Sequence, residues 1–245
     1  MKITVVTVTL NAAAVVDAAL ASLREQVQVD IELVVVDGGS SDDTLERIRG
    51  YSDLRPMVIA GKDNGIYDAM NKGVQQASGD AIYFLNSDDC LAQPRALVLL
   101  MSALKAQADI GVVFGDVVVA GEGSDSYRSH CAVRPARLGY ETLCHQAALV
   151  RRKVFHQVGG FNTNYRVCAD LEWFLRCAKA GVGFVHVPRL VCRYAAGGES
   201  DRQVALRAVE NRAILAAQRS ASARMHQRLA AALRRRVRRI AAFAG

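Results

Sequence analysis

The chain begins with "KITVVTVTL", a continuous apolar run rich in β-branched residues that reads as a strand buried on both faces. Residues 14–26 then switch to the spacing of an amphipathic helix. "IELVVVDGGSSDDTLERI" gives a strand, a glycine turn and a helix, with Asp42 or Asp43 as the expected cap. "RPMVIAG" predicts a third strand, residues 66–77 a helix ending before Gly79, and "DAIYFLNS" a fourth strand. A helix follows from Pro94 to about Lys105, and "IGVVFGDVVVAG" is strand again. Strands without a polar face that alternate with helices imply an α/β fold: a mainly parallel central sheet with helices on both faces.

Beyond about residue 120 the alternation weakens. "GEGSDSYRS" reads as a loop, "HQAALVRRKVFHQVGGF" as a short strand and a helix stopped by Gly159-Gly160, and "CADLEWFLRCAKAG" as a helix stopped by Gly181. "VGFVHVPRLVCRYA" is strand-like with a break or edge at Pro188, and helix is expected from about Asp201. The pattern divides the chain into a body, residues 1–200, with halves 1–119 and 120–200, and a helical tail, residues 201–245.

Composition sharpens this division. The 245 residues carry a net charge of +7, but residues 201–245 hold 11 arginines against 2 acidic residues, which leaves the body at −2. A nucleic-acid enzyme usually has a basic stripe on its folded body, so nucleic acid is not the expected partner. In residues 225–240, Met225, Leu229, Leu233, Val237 and Ile240 fall on an arc of roughly 120° at helical spacing, with most arginines elsewhere. Such a helix can lie on an anionic membrane surface, or pack on the body with its basic face in water. No run approaches the ~18 apolar residues of a membrane span. The start of the chain does not read as a signal peptide, and the six scattered cysteines, without a CxxC pair, read as reduced thiols. The expected location is the cytoplasm, at the inner face of the membrane if the tail binds there.

In parallel sheets ligands bind beyond the carboxyl ends of the strands. That rule sets Thr9–Asn11, Asp37–Ser40, Asp63–Gly65 and Ser87–Asp89 along one rim. "FLNSDD" ends a core strand in two adjacent carboxylates, Asp88 and Asp89. Hard divalent cations take such oxygens together with substrate phosphates, which points to Mg²⁺ or Mn²⁺; the competing reading is a solvated turn.

"TVTLNA", "LVVVDGGSSDDT", "DNGIYDAMNKGVQQASGDAIYFLNSDD", "HQ" and "DLEWFLR" occur in that order over about residues 1–200. Together they resemble the inverting family 2 glycosyltransferases of the GT-A fold, in particular the bacterial branch that builds surface polysaccharide and lipid-linked oligosaccharide. The resemblance implies a nucleotide-sugar donor, a UDP-sugar before a GDP- or dTDP-sugar, and a hydroxyl acceptor on a glycan or lipid-linked glycan. It implies Asp89 as ligand of Mn²⁺ or Mg²⁺ and Asp88 near the ribose or sugar, with Ser87 where the first Asp of the family motif often stands. Asp37 would accept from the base, Thr9 and Asn11 would border it, and Gly38 and Gly39 would allow the tight turn after the strand. Asp63, Asn64 and Gly65 would border the nucleotide.

Where many relatives carry an arginine this chain has Met70-Asn71-Lys72, and Lys72 is the candidate replacement. Asp68 and Asn71 could share a helix face toward the site. Asp170 matches the family base, which takes the acceptor proton, and Glu172 is the alternative base; both also suit a helix start. His145 and Gln146 match an acceptor-side pair, and Trp173 could be a stacking platform or core. Arg193, Gly197, Gly198 and Ser200 could form a lid over the diphosphate.

Two rival classes remain. A sugar-nucleotide nucleotidyltransferase would need a basic glycine-rich loop near the N-terminus, which "TLNAAAVV" lacks. A non-catalytic nucleotide-sugar-binding or membrane scaffold would need neither Asp89 nor Asp170. A homodimer is compatible with the sequence, which does not decide it.

Overall fold

The apolar runs become neighbouring strands of one sheet in a computed structural model of the chain. The structure describes residues 1–121, 125–133, 135, 138, 143–195, 197 and 202–218. The first half holds β1 (Lys2–Thr9), α1 (Val16–Arg24), β2 (Asp30–Asp37), α2 (Thr44–Gly50), β3 (Met57–Ala60), α3 (Ile66–Gln76), β4 (Ala81–Phe84), β5 (Cys90–Leu91) and α4 (Ala96–Ala106). Then come β6 (Ile110–Ala120), β7 (Ser126–Arg128), β8 (Ala148–Arg151), α5 (Arg152–Val158), α6 (Ala169–Lys179) and β9 (Gly183–Ala195). Residues 204–218 form a further helix, α7. The strand order is β3-β2-β1-β4-β8-β6-β9-β5, with β7 beside β6.

β3, β2, β1 and β4 are mutually parallel, and β1 is buried from Ile3 to Thr9, as a strand covered on both faces must be. β8 runs against β4 and β6, so the sheet turns mixed where the sequence pattern weakens. β7 and β5 are short strands not anticipated in the sequence; β7 lies in the predicted loop "GEGSDSYRS". β9 follows β6 in parallel, with register shifts around Asp116 that let Val187, Pro188 and Arg189 bulge out of the ladder.

The helices bury the faces their spacing dictates. α1 turns Val16, Ala19, Leu20 and Leu23 inward. α3 packs on β1 and β2, and its Gly73 is required there, because a Cβ would stand 2.3 Å from Val6 Cγ1. Of the two expected caps of α2, Asp43 holds the N-cap position without a side-chain hydrogen bond, while Asp42 accepts from the Thr44 N–H and hydroxyl in an Asx turn and from the Ala13 N–H at 3.1 Å. An aromatic cluster of Phe84, Phe155, Phe161 and Trp173 joins β4 to α5 and α6.

The first part of the tail, α7, packs on the body. Its Ile214 is buried against Val167 and Cys168, with Leu206 and Leu171 alongside. The segment 225–240 lies outside the described residues, and among the described ones no helix is long and apolar enough to cross a membrane.

Candidate active site

The ends of β1 and β4, the start of α3, the turn before β8, the start of α6, the end of β9 and α7 enclose a cleft of about 760 Å³. The cleft brings together Thr9, Asp63, Gly65, Asp88, Asp89, His145, Gln146 and Asp170 from the sequence-derived set. Parallel register explains the first of these: Thr9 lies opposite Asp37, so both strands deliver their last polar residue at one level.

The two adjacent carboxylates have unequal surroundings. Asp88 is exposed, whereas Asp89 is 2% exposed and its Oδ2 has no hydrogen-bond partner. Burial pushes the Asp89 carboxyl up to about 7, and the neighbouring Asp88 charge pushes the same way. His145, the Gln146 side chain and the Ala195 backbone favour its charged form without offsetting the burial. A buried, orphaned carboxylate oxygen at a cleft wall is the donor a hard divalent cation takes. Among the described residues there is no cluster of three or more His, Cys, Asp or Glu placed to hold a metal. Asp89 therefore fits a cation that would complete its shell with substrate phosphates and water.

Asp170 stands in the first turn of α6 and lines the same cleft. His145 Nδ1–H donates to its Oδ2 at 3.2 Å, and Asn86 Nδ2–H lies 3.3 Å from His145 Nε2, a pairing that fits the tautomer with the proton on Nδ1. The Tyr67 hydroxyl donates to Val167 O at 2.9 Å and lies 3.2 Å from Asp170 Oδ1. Burial, then the charge of Asp170, hold the Tyr67 phenol far above its usual pKa, so it serves as a neutral donor. The result is a carboxylate held from two sides in a cleft, which suits proton abstraction from a bound hydroxyl.

Several expected residues go elsewhere. Asp37 is fully buried and accepts from Thr9 Oγ1 at 3.0 Å, from the N–H groups of Gly39 and Ser40 and from the Ser40 hydroxyl; its oxygens are taken by β1 and by its own loop. Asn11, at φ 48°, ties the β1 loop to the β2 loop by accepting from the Ser41 N–H at 2.9 Å. Gly38 lies against Asp63: a Cβ there would meet Asp63 Oδ2 at 2.7 Å. Gly39 holds φ +93°, the turn its residue type allows. The Asn64 N–H caps onto Asp68 at 3.0 Å.

Lys72 does not reach the cleft; it pairs with Asp68 at 3.1 Å and donates to Lys62 O. Asn71 exchanges two hydrogen bonds with the Phe161 backbone, 2.8 and 2.9 Å, which removes it from the proposed helix face. Glu172 is held by Arg176 at 2.9 Å, one helical turn on. Trp173 is core: it is 1% exposed, stacked on Phe155 at 4.4 Å, with its N–H donated to Gly159 O. Arg193 pairs with exposed Asp125 at 2.9 Å. Gly197 is a turn residue with φ +82° that does not line the cleft; Gly198 and Ser200 lie outside the described residues.

The cleft also has lining residues that sequence reasoning missed: Tyr67, Asn86, Arg128, Arg166, Tyr194, Arg207 and Asn211. Tyr67 and Asn86 sit inside motifs already quoted. Arg207, Glu210 and Asn211 share one helical face, a spacing that was available in the sequence.

A model described as "Glycosyl transferase family 2" matches residues 4–159. The chain belongs to glycosyltransferase family 2. This family 2 glycosyltransferase is 37% identical over 190 residues to a "PGL/p-HBAD biosynthesis glycosyltransferase" of Mycobacterium bovis, covering 76% of this chain and 70% of that one. S. aureus TarS 1-349, solved with UDP-GlcNAc, has TM-score 0.72 at 19% identity, over 83% of this chain and 61% of TarS 1-349. The mannosyltransferase PcManGT of Pyrobaculum calidifontis, solved with GDP-Man and Mn²⁺, has TM-score 0.65 at 22% identity, over 81% of this chain and 58% of its own. The glycosyltransferase thus spans about three fifths of each of these two structures, and what it shares with them is the GT-A fold.

Proposed function

We propose that this glycosyltransferase moves a sugar from a nucleotide-diphosphate sugar, a UDP-sugar first, to a hydroxyl of a surface glycan or lipid-linked acceptor, with inversion. The observation that carries this reading is the cleft itself, which is lined by Asp88, by Asp89 with its orphaned oxygen, and by Asp170, held by His145 and Tyr67. Relatives named for PGL/p-HBAD biosynthesis support a glycosyltransferase, and fold neighbours with bound UDP-GlcNAc and GDP-Man support a nucleotide-sugar donor.

In this reading Asp170 takes the proton of the acceptor hydroxyl as its oxygen attacks the anomeric carbon. The bond from that carbon to the diphosphate oxygen breaks on the opposite face, which inverts the centre. Thr9, Asp63 and Gly65 form the wall beside the nucleotide, and Asp88 faces its ribose or sugar. A divalent ion, Mn²⁺ or Mg²⁺, held by Asp89 and the donor phosphates would offset the charge of the departing diphosphate. The first half serves the donor and the second half the acceptor.

Calorimetry with UDP, GDP and dTDP, with and without Mn²⁺, on wild type and Asp89→Ala tests the donor side. UDP binding that needs both Mn²⁺ and Asp89 is the expected result. A preference for GDP would replace the UDP-sugar with a GDP-sugar. If a folded sample binds no nucleotide, the transferase reading fails.

A further inference from the structure

α7 carries a carboxylate into the body of the protein. Glu210 is 6% exposed, and three successive backbone donors converge on it: Arg166 N–H at 2.7 Å to Oε1, then Val167 N–H at 3.0 Å and Cys168 N–H at 2.9 Å to Oε2. These residues lead directly into α6, whose N-cap is Cys168. A helix cannot satisfy the N–H groups at its start from within, and its N-terminus carries partial positive charge, so an anion placed there is held by both effects. The N-cap residue Cys168 makes no side-chain cap; Asp170 Oδ1 accepts from the Leu171 N–H at 2.8 Å within the first turn, and Glu210 holds the Cys168 N–H and the two N–H groups before it from another element.

The same short segment is gripped from its other side. Val167 O accepts from Tyr67, whose hydroxyl also lies within reach of Asp170 Oδ1. Asp170 follows Cys168 by two residues, in the first turn of α6. Any shift of residues 166–168 therefore moves the backbone that carries Asp170. Ile214, one turn beyond Glu210, packs on Val167 and Cys168 and fixes the contact laterally. Arg207 and Asn211, on the Glu210 face of α7, line the cleft beside Asp170.

We propose that Glu210 is a positioning residue for Asp170: its carboxylate clamps residues 166–168 and so sets the place of the Asp170 carboxylate relative to the acceptor hydroxyl. This rests on the transferase reading of the cleft. A group that holds the base in register governs turnover, because displacement of about an ångström at a reacting centre is costly, while leaving donor binding across the cleft untouched. A cap that merely stabilises the fold would lower stability and leave the turnover of folded molecules alone.

The test uses the full chain, as wild type, Glu210→Ala and Glu210→Gln. UDP release from UDP-glucose, UDP-GlcNAc and UDP-galactose with Mn²⁺ is followed with water as acceptor, alongside UDP affinity and amide hydrogen exchange. The expected result is a loss of turnover of at least about tenfold in both variants, with KM for the donor and UDP affinity within about twofold. Exchange should quicken in residues 166–171 and not in β1–β4. Turnover within twofold of wild type in either folded variant overturns the proposal. So does a joint loss of turnover, UDP binding and protection throughout the chain. Glu210→Gln keeps the side-chain size and decides the matter if Glu210→Ala does not fold; failure of both to fold makes Glu210 purely structural and also overturns it. A folded wild type that binds none of UDP, GDP and dTDP sinks the transferase reading and the proposal together; one that prefers GDP or dTDP moves the same test to the matching sugar nucleotide. Active wild type with equally active variants removes the positioning role alone.

Discussion

In the half built from β1 to β4, polar groups reach the cleft because parallel strands end there in register, and Thr9 faces Asp37 for that reason alone. Around Asp170 no register relates the parts. Asp170 comes from α6, Tyr67 from α3, His145 from a turn before β8, and the backbone beneath Asp170 is held by Glu210 of α7. One side of the cleft is a property of the sheet, and the other is assembled from helices and turns packed onto it. The lesson is that the two sides should fail separately: damage to the assembled side should stop chemistry while leaving binding at the strand ends.

The sharpest test of that separation is Asp170→Asn. Turnover should fall about 10²–10⁴-fold, as loss of a general base does, while calorimetry finds UDP affinity unchanged. A parallel loss of affinity would mean the two sides are one unit.

Trp173→Ala should come next in size. Its ring is buried on Phe155, so truncation should destabilise the protein by about 3–5 kcal/mol in denaturant unfolding, and Trp173→Phe by much less. If Trp173→Ala instead unfolds like wild type, the side chain is not the core residue it is taken to be here.

A pH series probes the donor side. The Asp89 carboxyl sits at about 7, above its unfolded value, so the folded state binds the extra proton between roughly pH 4 and pH 7. The contribution to stability is therefore present at low pH and lost as pH rises through about 7. Cation binding needs the carboxylate, so Mn²⁺ affinity should fall about tenfold per unit below pH 7. Mn²⁺ titrations at three pH values check this, with Asp89→Asn expected to flatten the slope.

The smallest effect should be that of Lys72→Ala. A partly exposed pair with Asp68 contributes at most about 1 kcal/mol, and UDP affinity should stay within about twofold. A large loss of affinity would return Lys72 to the arginine role expected from its place in the sequence.

These contrasts track what could be read before the structure. Apolar runs and turn glycines gave β1, β2, β3 and β4 with the helices between them, because period and burial are local properties. Asp88 and Asp89 stand out as two carboxylates that end a core strand, whereas Asp170 is singled out by a resemblance to a family whose model stops at residue 159, before Asp170 and α7. What escaped was the destination of long polar side chains. Lys72, Asn71, Glu172 and Arg193 each had a nearer partner, and no pattern in the chain announces whether a lysine will face a cleft or a neighbouring aspartate. β5 and β7 escaped because strands of two and three residues carry no period to detect. Glu210 escaped because it was counted with a basic stretch whose charge drew attention to the surface, although its carboxylate is buried.

The Glu210 contact also sets an order of events during synthesis. β1 through β4 can pair as soon as they emerge, but the backbone of residues 166–168 lacks its Glu210 contact until a residue 42 positions after Cys168 has been made. At about 5–20 residues per second that interval lasts several seconds. A nascent chain would therefore hold the strand-end side of the cleft before the backbone beneath Asp170 is fixed.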